Sequence, residues 1–153
     1  MKYERPFIAR DLQKDRHCSK NRKGVLEMNI NELAVEIHKN AVEHGWWEES
    51  RKFPEIAALI HSEISEALEE YRNGRPEAYV VVVDGDPADV PRMETDILKF
   101  GERKPEGIAV ELADAVIRIL DYTAAEGIDI ESLIMAKHEY NKTRPYRHGG
   151  KKI

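Results

Sequence analysis

The sequence predicts an all-α fold: a four-helix bundle with a β-hairpin inserted between helices two and three. Three observations carry that expectation. Apolar residues recur at helical spacing over four separate stretches. Asn, Asp, Gly and Pro stand where those stretches should begin and end. One β-branched segment interrupts the pattern between the second stretch and the third.

Residues 1–28 are basic, lack sustained periodicity and are set off by Gly24, so they form an N-terminal arm ahead of one domain spanning 29–153. Helix one lies in "NINELAVEIHKNAVEHGWW", where Leu33, Ala34, Ile37, Ala41 and Val42 recur at helical spacing. Asn29 or Asn31 caps its start and Gly45 marks its end. Pro54 opens helix two, whose Ile56, Leu59, Ile60, Ile64, Ala67 and Leu68 form a broad apolar stripe, and Asn73-Gly74 closes it. The insertion, about residues 75–104, begins with four consecutive valines, passes through Asp, Gly and Pro, and ends in a second short apolar run. That is the pattern of a hairpin. A lone hairpin is marginally stable in water, so it is expected to pack on the bundle or pair with another subunit. Helix three runs from about Pro105 to Ala125 with Gly127 as its stop, and Asp129 caps helix four, which must end before Pro145.

Composition narrows the function classes. A net charge of -5 arises from abundant residues of both signs, so no global basic field points to nucleic acid as a partner. A polyanionic ligand would have to be met locally, by a metal ion or a few placed cations. The single cysteine, Cys18, cannot form an internal disulfide, which suits a reducing compartment and predicts a cytoplasmic location. No apolar run is long enough for a membrane span, so no membrane partner is expected.

Ionisable residues inside the apolar segments mark the candidate site. In "GIAVELADAVIRIL", Glu111, Asp114 and Arg118 lie within about 60° of one another around a helix that is otherwise apolar nearly all round. Such a helix is expected to be covered on most sides. Buried carboxylates are costly unless they are paired or bound to a cation. Helix two repeats the device, with Glu63, Glu66 and Glu70 on one face. Two carboxylate pairs on neighbouring helices could converge, and oxygen donors without cysteine favour a hard cation, Mg²⁺ or Mn²⁺. None of the six histidines has a Glu three positions earlier, which argues against a di-iron site. The residues alone leave a plainer alternative open. The helix-two acids can be a solvated face, and Arg118 can neutralise one helix-three acid as a structural ion pair.

"SEISE" in helix two, followed by "ELAD" in helix three, resembles the E-x-x-E and E-x-x-D signature of the MazG-like, all-α nucleoside triphosphate pyrophosphohydrolases. The downstream "KHEYNKTRPYRHGGK" is similar to the Lys-x-x-x-Asn-x-x-Arg tail often found there. The resemblance covers roughly residues 29–151. It implies a MazG-like bundle in which Glu63, Glu66, Glu111 and Asp114 are catalytic and hold Mg²⁺. Water would attack the α-phosphorus of a (deoxy)nucleoside triphosphate, giving the monophosphate and pyrophosphate. Lys137, Asn141 and Arg144 would bind the phosphates, sharing a face if helix four continues that far. His38 and Trp47 are further candidates for the nucleotide pocket. A homodimer or homotetramer is also implied. Two features depart from the pattern: Ser62 stands where a second acid commonly precedes the first glutamate, and the insertion lengthens the spacing between the two acidic motifs. An insertion between helices need not disturb their packing. The alternatives are a phosphoribosyl-ATP pyrophosphohydrolase, which shares such a site, and a non-catalytic helical interaction protein docking through its valine-rich edge.

Overall fold

Helix α1, Ile30–Glu43, starts on a reciprocal cap. The Asn29 side chain accepts from the Glu32 N–H at 2.9 Å, and Glu32 accepts from the Asn29 N–H at 3.0 Å. Helix α2, Phe53–Arg72, has Pro54 in its first turn, and the Lys52 N–H donates to Glu55 at 2.9 Å. Strands β1, Tyr79–Val82, β2, Arg92–Glu94, and β3, Pro105–Glu106, precede helix α3, Ile108–Ala125. Helix α4, Ile130–Lys142, follows after a short turn. This computed structural model describes residues 28–82, 92–95 and 103–146. The basic arm up to residue 27 and the rest of the insertion lie outside the described residues. No described helix is long and apolar enough to cross a membrane.

The described residues divide into two compact units, one of residues 28–44 with 120–146 and one within residues 45–119, and α3 contributes to both. In the first unit α1 and α4 are tied at their N-termini. Asp129, the α4 cap, accepts from the Ser132 N–H at 3.0 Å and from the Asn31 side chain at 2.7 Å. The Asn31 side-chain oxygen Oδ1 in turn accepts from the Glu131 N–H. Among the described residues of this unit, Ala34, Leu120 and Thr123 are buried. Helix α4 buries none, and Leu133, Ile134 and Met135 are about half exposed.

The second unit holds α2, the sheet and the first turns of α3. The sheet order is β2-β1-β3, antiparallel throughout, with Val81 opposite Met93 and Tyr79 opposite Glu106. Val80 is fully buried, and Tyr79, Ile56, Ala67 and Ala115 complete the buried apolar set. Tyr79 donates its hydroxyl to Glu70 at 2.9 Å, fastening β1 to α2.

Two expectations need correction. Helix three begins at Ile108, not near Pro105, because Pro105 and Glu106 pair with the free edge of β1 as a third strand. Pairing satisfies backbone groups that the hairpin alone would leave open on that edge. The helix is also not covered on most sides: Leu112, Val116, Ile117 and Ile119 are 47%, 52%, 43% and 37% exposed.

Candidate metal centre

Glu63 occupies a position that belongs to the core. With Ile56 and Ala67 it lies at i, i+7 and i+11 of α2, and all three are buried. On α3, Glu111 and Ala115 are likewise buried one turn apart. Glu63 and Glu111 are 5% and 6% exposed, so the two helices carry carboxylates where hydrophobic side chains would normally sit. Glu66, one turn after Glu63, is exposed at the rim. One carboxylate oxygen from each of Glu63, Glu66 and Glu111 lies within 4.8 Å of the other two. Asp114 is not part of this trio, although it is partly buried and feels the charge of Glu63.

The electrostatics are those of crowded like charges. Burial pushes the Glu111 carboxyl up from its ordinary value, and the charges of Glu66, Asp114 and Glu63 push it further, against the pull of Lys104. Asp114 is raised by burial first and by Glu63 next, with Arg118 and Lys104 opposing. Among the described residues no fully buried side-chain oxygen lacks a hydrogen-bond partner. Glu63 has a partner, the Arg118 guanidinium, whose Nε donates to its Oε1. The sequence left open that Arg118 neutralises an acid of its own helix; its hydrogen bond runs across to α2. The reason is burial, since an ionised Glu63 has far less water than Asp114 and needs a counter-charge more.

Lys104 escaped the sequence reading. It sits just before β3, bonds Glu106 at 2.9 Å and acts on both Glu111 and Asp114; its own ammonium is held above its usual range by Glu106 first. Its only sequence signal is a cation directly ahead of Pro105, three residues before the glycine that precedes helix three. Glu70, expected on the acidic face, is taken by Tyr79.

The predicted substrate residues divide. Trp47 belongs to the same unit as the carboxylates, whereas His38, Lys137, Asn141 and Arg144 belong to the other. His38 Nδ1 is 2.7 Å from Asp121 Oδ1, linking α1 to the end of α3. Lys137 and Asn141 are exposed on α4, and the Lys137 ammonium lies 5.0 Å from the Tyr140 ring centre. Arg144 falls beyond the helix, which ends at Lys142, so the three do not share one helical face. The turn that follows uses the Thr143 and Arg144 N–H groups on the Tyr140 and Asn141 carbonyls.

Within the carboxylate-bearing unit an open hollow of about 740 Å³ is lined by Trp46, Arg51, Glu55, Leu59 and Ser62 among others. Trp46, rather than Trp47, lines it, and the Arg51 guanidinium lies 5.3 Å over the Trp46 ring. Adjacent tryptophans point in different directions, and sequence alone does not say which one faces the hollow.

Three carboxylate oxygens at this spacing are a hard donor set. Glu63, Glu66 and Glu111 would hold a hard divalent cation such as Mg²⁺, which would supply charge neutralisation among the three acids. Comparison with protein-family models, with curated proteins and with solved structures returns no match, so function has to be read from this geometry and the sequence motifs.

Proposed function

We propose that the chain is a Mg²⁺-dependent nucleoside triphosphate pyrophosphohydrolase of the MazG-like kind, with Mn²⁺ as a substitute ion. One observation carries the reading: Glu63 and Glu111 stand 5% and 6% exposed at core positions of two helices, and with Glu66 they bring three carboxylate oxygens within 4.8 Å of one another. Like charges crowded at that spacing repel, and a divalent cation between them would relieve the repulsion. The E-x-x-E and E-x-x-D order of the motifs adds support from the sequence.

In this reading Glu63, Glu66 and Glu111 hold the ion and Asp114 adds negative charge beside it. When bound, the ion supplies Lewis-acid polarisation of the triphosphate and activation of the attacking water. Lys104 neutralises phosphate oxygens at the mouth of the cluster, and Trp46 offers a flat face for a base. Lys137, Asn141 and Arg144 as phosphate ligands, and His38 and Trp47 as nucleoside contacts, are proposed on the sequence resemblance alone. The apolar helix surfaces left open in one copy support a homodimer or homotetramer.

The test is pyrophosphate release from a panel of canonical, damaged and phosphoribosyl-ATP substrates. At least one should turn over with Mg²⁺ and none with chelator. Glu111→Gln should lower kcat by more than the roughly 10–100-fold that loss of an outer-shell partner costs, and Asp114→Asn by about that factor, with circular dichroism unchanged. Full activity in both variants excludes the site. A second reading, a non-catalytic helical interaction protein, draws on the Arg118–Glu63 pair and the open apolar surfaces. It requires that millimolar Mg²⁺ leave the melting temperature where it was.

A further inference from the structure

The Arg118–Glu63 pair occupies an oxygen-donor residue that the proposed cation needs. Glu63 is buried and held in place by α2, whereas the Arg118 side chain is 34% exposed on α3 and has solvent to withdraw into. Of the two, the guanidinium is the group able to leave. Asp114, one turn earlier on the same helix, feels the same guanidinium. A divalent ion and Arg118 therefore compete for one carboxylate, and two cations in one low-dielectric pocket repel.

We propose that Arg118 is the resident counter-ion of Glu63 in the metal-free protein, that a divalent cation displaces it, and that the freed guanidinium then grips the anionic end of the substrate. The inference rests on the metal-dependent reading of the site and adds a positioning residue to it. Arg118 exchanges one negative partner for another: a carboxylate when the pocket lacks metal, a phosphate oxygen when the carboxylate is engaged. The exchange makes phosphate binding follow metal binding, because the guanidinium becomes available only after Glu63 has been taken. A planar guanidinium suits both partners, since it pairs with carboxylate and phosphate through the same fork of donors.

Isothermal titration of the full-length protein with Mg²⁺ alone, then with inorganic pyrophosphate at saturating Mg²⁺, tests this in wild type, Arg118→Met and Arg118→Lys. Arg118→Met is expected to bind Mg²⁺ about tenfold more tightly, having lost the competing charge, and pyrophosphate about tenfold more weakly. Arg118→Lys is expected to lie between, with pyrophosphate affinity partly restored. A merely structural arginine would not move the two affinities in opposite directions. Should Arg118→Met fail to fold, the wild-type protein still decides: the Arg118 Nε–H resonance is expected to shift and exchange faster with water on adding Mg²⁺. Mg²⁺ affinity in Arg118→Met equal to or weaker than wild type, or an unchanged Nε–H resonance, overturns the exchange while leaving the metal site standing. A wild-type protein that binds no Mg²⁺ overturns both.

Discussion

Glu111 sets the energetics at the scale of single residues. Its carboxyl, like that of Asp114, keeps its proton to higher pH in the folded chain than in the unfolded one. The native state therefore binds more protons than the unfolded state once pH passes the ordinary values of 3.8 for Asp114 and 4.5 for Glu111. Metal-free stability is fullest below those values and falls as pH rises through the window up to the raised native ones; above it the loss persists. Glu111→Gln removes one contributor. In chelator at pH 7 the variant is expected to melt above wild type, with the gap closing as the pH is lowered toward 4.5. Mg²⁺ at a hundredfold excess over its Kd should add about 2.7 kcal/mol to the wild type and almost nothing to the variant. Differential scanning calorimetry across pH, with and without Mg²⁺, checks both statements; a variant less stable than wild type in chelator at pH 7 contradicts them.

At the scale of elements, the corner between β3 and α3 decides where Glu111 points. Gly107 has φ +113°, and a Cβ there would stand 2.7 Å from the Glu77 carbonyl oxygen and 2.8 Å from that of Pro76. The same Glu77 carbonyl accepts from the Ala109 N–H at 2.8 Å, and the Gly107 carbonyl accepts from the Glu111 N–H at 3.0 Å. The insertion is thus hydrogen-bonded to the first turn of the helix that carries the acids. Gly107→Ala is expected to cost about 2–3 kcal/mol through the strained backbone and to weaken Mg²⁺ binding by moving Glu111. Gly74→Ala is the control: its φ is +63° but nothing lies within 4 Å, so about 1 kcal/mol and no change in metal affinity are expected. Denaturant unfolding with Mg²⁺ titration distinguishes them. Equal costs with intact metal binding would show that the corner does not orient the site.

For the whole molecule, the buried apolar set is small and the open set is large. Ile64, Leu68 and Tyr71 on α2 stand at i, i+4 and i+7 and are 46%, 46% and 70% exposed. Leu112, Val116 and Ile119 repeat that spacing on α3. Two regular apolar stripes within one unit are what a helical interface requires, so the proposed oligomer predicts that they are covered by a second copy. Val116→Glu, at a position half exposed in one copy, would barely affect a monomer. In an oligomer it buries an unpaired charge, and light scattering should then show the assembly falling to monomer. A monomeric wild type, or an assembly indifferent to Val116→Glu, rules the stripes out as the interface.

The caps, stops and periodicity of the four helices were legible in the sequence because they depend on neighbours within one turn: Asn29 on Glu32, Pro54 in its first turn, Asp129 on Ser132. The acidic faces of α2 and α3 were legible for the same reason, since spacing along a helix sets direction around it. What only the tertiary structure decided were choices between partners far apart in the chain. Arg118 takes Glu63 rather than an acid on its own helix, Glu70 takes Tyr79, Pro105 and Glu106 join β1, and Lys104 comes under the influence of the carboxylates. Each follows from which charge or backbone edge is left with the least water after packing, and that is a property of the fold rather than of any local stretch.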